Sequence, residues 1–290
     1  MTAASRFTVR EIQKLKEEGT PIAMLTAYDE TSARLAELAG VPMLLVGDSL
    51  GMVIQGHQTP LPVTLDHIIY HAQIVTRVTT QPFVVGDMPF MTYNISPEQA
   101  LANAGRLMQA SGVGAIKMEG GTYLAPTIAR IVQAGIPVMG HVGLQPQSIH
   151  KYGGMRVQGR DNVDAARKLL ADAHAVEDAG AFAMVVEGVP VELGKMITEQ
   201  VRIPTIGIAA GPHCDGQVQV FHDLLGLFDA FQPRHVRRYV EGAKIFREAI
   251  ASYVDDVKNQ RFPTDEHAFS MKPEVLAQLN GTETTETGDK

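Results

Sequence analysis

The stretch GAIKMEGG, residues 114–121, decides how this chain is read. Ile116 and Met118 are apolar and belong in an interior. Lys117 and Glu119 alternate with them, and two glycines end the run. In a strand, successive side chains point to opposite faces, so Lys117 and Glu119 share one face, roughly 6–7 Å apart. The stretch reads as a short buried strand that carries two charged groups to its C-terminal end.

The same pattern recurs along the chain. IAMLTAYD (22–29), MLLVGDS (43–49), FVVGDMP (83–89), VMGHVGL (138–144), AMVVEGV (183–189) and TIGIAAG (205–211) are short apolar runs that end in a polar residue or glycine. QVQVFHDL (217–224) is a weaker eighth run. Their length and β-branched content predict strands. Helical signals lie between them. Ser96 with Pro97 and Gln99 forms a helix start, and residues 97–110 read as helix. Thr64 opens another, with Ile68, Ile69, Ala72 and Val75 at helical spacing. Residues 161–178 present an apolar face and end at Gly180. Thr8 and Glu11 form a capping box, with Gly19 as the stop. Residues 236–257 read as one long final helix, with the basic cluster at 234–238 on its solvated start.

Strands alternating with helices imply parallel strands joined by crossovers. Seven or eight such units predict an α/β fold, a (β/α)₈ barrel. A doubly wound open sheet is the runner-up. No GxGxxG follows the first strand, and no composition break marks a second domain. The expected organisation is one barrel domain over residues 1–265, with an N-terminal helix, and a C-terminal extension over 266–290. Two segments break the rhythm. QPQSIHKYGGMRVQGR (145–160) is a long polar loop, either a mobile lid or an ordered crossing segment. NGTETTETGDK (280–290) has almost no apolar residue and predicts disorder.

Composition narrows the function. Of 290 residues, 45% are hydrophobic and 20% charged, as in a soluble globular protein, and the net charge is −7. That balance gives no sign of a nucleic-acid or membrane partner. No run approaches the ~18 apolar residues of a membrane span. The N-terminal stretch MTAASRFTVREIQ lacks the apolar core of a signal peptide, and the single cysteine, Cys214, excludes an intrachain disulfide. The expected location is the cytoplasm.

In a parallel barrel the active face lies at the C-terminal strand ends. Those ends carry Asp48 and Ser49, Asp87, Lys117 and Glu119, His141, and Glu187. Asp29 is set aside as a helix cap, the commoner role of an acid after a strand. Several carboxylates at neighbouring strand ends repel unless a cation or proton is shared. Oxygen ligands point to Mg²⁺ rather than Zn²⁺. His141 fits a hydrogen-bonding wall, and Cys214 has no activating partner. Lys117 offers either a Schiff base or a fixed positive charge, and an adjacent metal favours the fixed charge. Mg²⁺, a cation and a spare carboxylate together suit enolate chemistry on a 2-oxo acid.

These residues lie in LLVGDSLGMVIQGHQTPLPVTLDHIIYH (44–71), VVGDMPFMTY (84–93), IKMEGG (116–121), GHVGLQPQS (140–148), VVEGVP (185–190) and GIAAGPHCDGQVQVFHDLLG (207–226). The set resembles the ketopantoate hydroxymethyltransferase family, over about residues 6–265. The resemblance implies a TIM barrel of the phosphoenolpyruvate/pyruvate type, a homodecamer and Mg²⁺. It implies transfer of a hydroxymethyl group from 5,10-methylenetetrahydrofolate to 3-methyl-2-oxobutanoate, giving 2-dehydropantoate for pantothenate synthesis. By the same resemblance Asp48 and Asp87 are metal ligands within the keto-acid site. Ser49 binds the substrate carboxylate and Lys117 the keto acid. Glu119 serves the metal, directly or through water, and Glu187 is the proton acceptor. The folate pocket is not assignable residue by residue. The rival reading is a Mg²⁺-dependent 2-oxo acid lyase or mutase of the isocitrate-lyase type, which would use a loop cysteine that Cys214 is poorly placed to supply.

Overall fold

Each apolar run of the repeated pattern is a strand, and the strands close on themselves. The computed structural model describes residues 6–228 and 232–281. The strands are β1 (Ile22–Thr26), β2 (Met43–Val46), β3 (Phe83–Asp87), β4 (Ala115–Glu119), β5 (Val138–Gly143), β6 (Ala183–Glu187), β7 (Thr205–Ile208) and β8 (Gly216–Gln219). They form a closed barrel in sequence order, with β8 paired to β1 and every pairing parallel. The expected (β/α)₈ barrel is the observed fold.

Alternation along the strands builds two cores. Met24, Met43, Leu45, Phe83, Val85, Ala115, Met139, Ala183, Val185, Ile206 and Val218 pack together inside the barrel. Leu44, Val46, Val84, Ile116, Met118, Val138, Val142, Met184 and Val186 pack outward against the helices. A one-residue slip in any strand would exchange the two sets, so the register is fixed by hydrophobic pattern. Burying a Leu, Ile or Met side chain contributes about 1.5–3 kcal/mol relative to exposure.

The helices follow the sequence signals closely. Thr8 caps Val9–Glu17 with a full capping box. Thr64 caps Leu65–Val78, and Ser96 caps Pro97–Ser111, which ends on left-handed Gly112. Asn162 caps Val163–Asp178. Asp29 caps Glu30–Leu38, accepting from the Ser32 N–H at 2.7 Å, as its sequence position predicted.

The N-terminal helix closes the bottom of the barrel. Ile12 is fully buried among the luminal side chains. Lys16 Nζ donates to the carbonyls of Thr198, Val201 and Ile203, and to Asp215 Oδ2 at 2.9 Å. The same Asp215 oxygen accepts from the Thr205 N–H and hydroxyl. This cluster pins the ends of β7 and β8 from below.

The pattern breaks in two places. No helix joins β7 to β8: residues 209–215 return as a loop through Ala209 and Gly211, both at positive φ. Gly and Pro in AAGPHCDG leave no helical repeat there. The helix expected over 236–257 starts later than the sequence implied. It runs Gly242–Lys258, with no side-chain cap at Glu241. Residues 234–240 are turns instead: Val236 is buried, and the Tyr239 N–H bonds the Leu224 carbonyl. That anchoring outweighs helix propensity over the segment.

The chain divides into two compact units, Met1–Val240 and Glu241–Lys290. The first holds the barrel. In the second, Gly242–Lys258 is followed by Pro273–Leu279, and Arg261 folds back to pair with Asp255 and Asp256. The sequence expectation of disorder at 280–290 lies, from residue 282 onward, outside the described residues.

Candidate active site

Period-two alternation carries the luminal face of each strand up to the barrel mouth. Asp87 continues the parity of Phe83 and Val85, and Lys117 and Glu119 that of Ala115. His141 continues that of Met139, and Glu187 that of Ala183 and Val185. Parallel register then sets neighbours side by side: Asp87 opposite Lys117, and Glu119 opposite His141. Asp48 and Ser49 enter from the turn after β2. Gly47 is required there, because a Cβ would sit 2.9 Å from Ser49 Oγ and 3.3 Å from Asp87 Oδ2.

The side chains form one connected cluster. Lys117 Nζ lies 2.7 Å from Asp87 Oδ1 and 3.4 Å from His141 Nδ1. His141 Nδ1 is 3.5 Å from Glu119 Oε1, and its Nε2 is 3.2 Å from Glu187 Oε2, although not aligned for a hydrogen bond. The Asp48 N–H donates to Asp87 Oδ2 at 2.9 Å. Ser49 Oγ and the Tyr28 hydroxyl are 2.8 Å apart. Asp48, Asp87, Lys117, Glu119 and His141 are all buried, whereas the Glu187 side chain is 19% exposed and so opens to the mouth.

Burial and mutual repulsion govern the charges. Burial, then the Asp87 carboxylate, pushes Asp48 up to about 7. Burial and Asp48 push Glu119 well above the ordinary carboxylate range. Burial alone would discharge Lys117, but Asp87, Glu119 and Asp48 outweigh it and hold the ammonium above its usual range. Burial and the Lys117 charge lower His141, so its ring is neutral near pH 7. Four carboxylates thus face one ammonium in a low-dielectric mouth.

That excess tests whether a metal fits. Asp87 Oδ1 is buried and has no aligned hydrogen-bond donor despite the nearby lysine. Asp48 Oδ1 receives no hydrogen bond either. The donors are all hard oxygens, which suit Mg²⁺. Among the described residues no three His, Cys, Asp or Glu groups converge as a ready-made cage. Mg²⁺ does not need one: it typically takes one or two carboxylates and completes its shell with water and substrate. The donor set fits that ion.

Every residue singled out from the strand ends is therefore drawn into one place: Asp48, Ser49, Asp87, Lys117, Glu119, His141 and Glu187. Cys214 is not among them. It lies on the loop between β7 and β8, and burial raises its thiol, so it is no ready nucleophile. Sequence reasoning missed Tyr28, Tyr93 and Gln147. Gln147 sits in a short 3₁₀ turn, Pro146–Ser148, at the start of the loop after β5, and it is 6% exposed. Tyr93 is buried beside it and donates to its side-chain oxygen at 2.6 Å. The beginning of the 145–160 segment is thus ordered against the site. No periodicity marks a buried amide in a loop, so the only available signal was the length of that loop.

Comparison with known proteins agrees with this geometry. A family model described as ketopantoate hydroxymethyltransferase matches residues 6–265. A 3-methyl-2-oxobutanoate hydroxymethyltransferase of Chloroflexus aurantiacus is 55% identical, covering 96% of this chain and 98% of that protein. That of Carboxydothermus hydrogenoformans is 50% identical, covering 94% and 99%. Among solved structures, a phosphoenolpyruvate phosphomutase from Streptomyces platensis subsp. rosaceus superposes with a TM-score of 0.60 at 14% identity, covering 95% of this chain and 96% of that one. A 2,3-dimethylmalate lyase, a member of the PEP mutase/isocitrate lyase superfamily, gives 0.54 at 16% identity, covering 93% and 94%. At such identities the structural likeness speaks for the fold alone.

Proposed function

The chain belongs to the ketopantoate hydroxymethyltransferase family, and from that premise we propose how its barrel mouth does the chemistry. The enzyme transfers a hydroxymethyl group to 3-methyl-2-oxobutanoate. We assign 5,10-methylenetetrahydrofolate as the one-carbon donor and 2-dehydropantoate as the product. One water is consumed and tetrahydrofolate is released.

In this reading Asp48 and Asp87 hold Mg²⁺, with Glu119 serving it directly or through a water. When bound, the ion supplies Lewis-acid stabilisation for negative charge on the substrate's keto oxygen. The Ser49 hydroxyl, oriented by Tyr28, binds the substrate carboxylate. Lys117 keeps its proton and so acts as a fixed positive charge rather than a Schiff-base amine. Glu187, the one acid here with an open side chain, accepts the proton from C3. His141, neutral, lies 3.2 Å from that carboxylate and walls it on one side. Water cleaves the donor's two C–N bonds, releasing tetrahydrofolate and the one-carbon unit at the formaldehyde level. The electron pair left on C3 adds to that carbonyl carbon, and the resulting alkoxide takes back the proton held by Glu187 to give the hydroxymethyl group.

The observation that carries this reading is the convergence of Asp48, Asp87, Lys117, Glu119 and Glu187 at one buried mouth. The test measures deuterium exchange at C3 of 3-methyl-2-oxobutanoate without folate, then transfer with folate, each with and without Mg²⁺. Exchange without folate, abolished by EDTA, is expected. Transfer that survives EDTA would refute the metal assignment. A homodecamer in the cytoplasm completes the proposal, and no helix among the described residues is long and apolar enough to cross a membrane.

The lyase or mutase alternative gains no support beyond the shared fold. Its loop cysteine has no counterpart at this mouth, since Cys214 belongs to the loop between β7 and β8.

A further inference from the structure

Each of the three acids assigned to the metal has one oxygen tied by a hydrogen bond, and the other oxygen of Asp87 is ion-paired to Lys117 at 2.7 Å. Asp87 Oδ2 is tied by the Asp48 N–H. The other two are tied by a single residue. Gln147 Nε2 donates to Asp48 Oδ2 at 2.8 Å, and the Gln147 backbone N–H donates to Glu119 Oε2 at 3.0 Å. The remaining oxygens, Asp48 Oδ1 and Glu119 Oε1, receive no aligned hydrogen bond. Glu119 Oε1 faces His141 at 3.5 Å.

The amide of Gln147 cannot turn over without loss. Its Oε1 accepts from the Tyr93 hydroxyl at 2.6 Å, and its Nε2 also donates to the Met88 carbonyl at 3.0 Å. Reversal would set Oε1 against both the Asp48 carboxylate and the Met88 carbonyl, two acceptors. Tyr93 is itself held: its oxygen accepts from the Glu119 N–H at 3.3 Å. A chain of buried hydrogen bonds thus runs Glu119–Tyr93–Gln147–Asp48. Every bond in it sits on β2, β3, β4 or the loops that follow β2, β3 and β5.

We infer that Gln147 is the positioning residue of this site: by binding Asp48 through its amide and Glu119 through its backbone, it dictates which oxygen of each acid faces a divalent cation. The inference rests on the metal assignment of Asp48, Asp87 and Glu119 made above. It gives the loop after β5 a specific task. The loop's first turn brings Gln147 within hydrogen-bond reach of both Asp48, just after β2, and Glu119, at the end of β4. Groups that orient metal ligands typically change metal affinity about 10–100-fold when removed.

The test uses the full chain and Mn²⁺, an oxygen-preferring stand-in for Mg²⁺ that electron paramagnetic resonance detects. Gln147→Met keeps the side-chain length and the backbone N–H to Glu119 but removes the amide bonds to Asp48, Met88 and Tyr93. It is expected to weaken Mn²⁺ binding at least tenfold and to change the spectrum of the bound ion. Tyr93→Phe keeps the amide but removes the bond that holds its oxygen, and should weaken binding less. In the double variant, Tyr93→Phe should add nothing to the loss caused by Gln147→Met, because both act through one bond chain. A merely structural role would instead give additive losses. Gln147→Met that binds Mn²⁺ as the unsubstituted chain does would overturn the inference alone. If Gln147→Met does not fold, unchanged Mn²⁺ binding by Tyr93→Phe overturns it. No Mn²⁺ binding by the unsubstituted chain overturns the metal assignment and the inference together.

Discussion

Lys117 Nζ sits 2.7 Å from Asp87 Oδ1, yet among the described residues it is the only ammonium in a mouth that also holds Asp48, Glu119 and Glu187. One lysine therefore answers for several buried acids. Removing one partner of a buried pair costs about 3–5 kcal/mol, because the other charge is left uncompensated. Lys117→Met should lower the metal-free chain's stability by about that much at pH 8. The loss should shrink at pH 5, where the acids can take up protons. Urea unfolding at the two pH values reads this directly, and equal losses at both would show that the charge imbalance is not the cause.

Glu187→Gln keeps the shape of the side chain and removes its basicity. Deuterium exchange at C3 of the keto acid should fall by about 10²–10⁴, the usual worth of a positioned base. Mn²⁺ affinity should stay within about twofold, since Glu187 is not among the assigned ligands. Exchange at the unsubstituted rate would remove Glu187 from the base role.

The raised carboxyls make the metal-free protein sensitive to pH in a defined direction. Asp48 titrates near 7 in the folded chain and near 3.9 unfolded. Between those values the native state binds more protons, so its stability is greatest below about pH 4 on this account and is lost as pH rises to about 7. Glu119 acts with the same sign. In EDTA, the unfolding free energy read from urea titration should fall between pH 5 and pH 7.5 by an amount on the order of a few kcal/mol. Saturating Mg²⁺ should flatten that slope, because the bound cation takes over the protons' role. A midpoint that rises with pH in EDTA would contradict the charge account.

The lower end of the barrel should behave differently from the mouth. Lys16→Met removes the charged bonds to Asp215 and to three carbonyls; Asp215 keeps its bonds from Thr205 but loses its cation. A cost of about 2–4 kcal/mol is expected from charge-assisted hydrogen bonds of this kind. Turnover at a temperature where the variant is folded should be unchanged, since Lys16 serves the N-terminal strand ends. A drop in kcat without a drop in melting temperature would contradict that division.

Gly143, at φ +96, ends β5 where a Cβ would lie 2.1 Å from the Glu187 carbonyl oxygen. Gly143→Ala should cost about 2 kcal/mol or more and displace Glu187, lowering C3 exchange along with stability. Retained exchange in a destabilised variant would show that the Glu187 carboxylate does not depend on this close approach.

How much of this was legible beforehand can be judged residue by residue. GAIKMEGG announced its strand, its luminal face and its charged end, because period-two alternation is a local property of the chain. Asp29 as a cap and Thr8, Thr64 and Ser96 as helix starts were legible for the same reason: their partners lie within three residues. The start of the helix Gly242–Lys258 was not, because Val236 is buried and Tyr239 is held by the Leu224 carbonyl, fifteen residues away in sequence. Gln147 was not legible as a site residue either, since its partners Asp48, Met88 and Tyr93 come from other loops.

By itself the sequence determined the strands, which of their faces is apolar, and the acids, lysine and histidine that stand at their ends. Those follow from short-range geometry and from burial pattern. Only the closed barrel decided that Asp87 faces Lys117, that one ammonium must offset several acids, and that an amide from the loop after β5 ties Asp48 and Glu119 together. Pairwise distance and desolvation set those relations, and both exist only once segments far apart in the chain share one low-dielectric mouth.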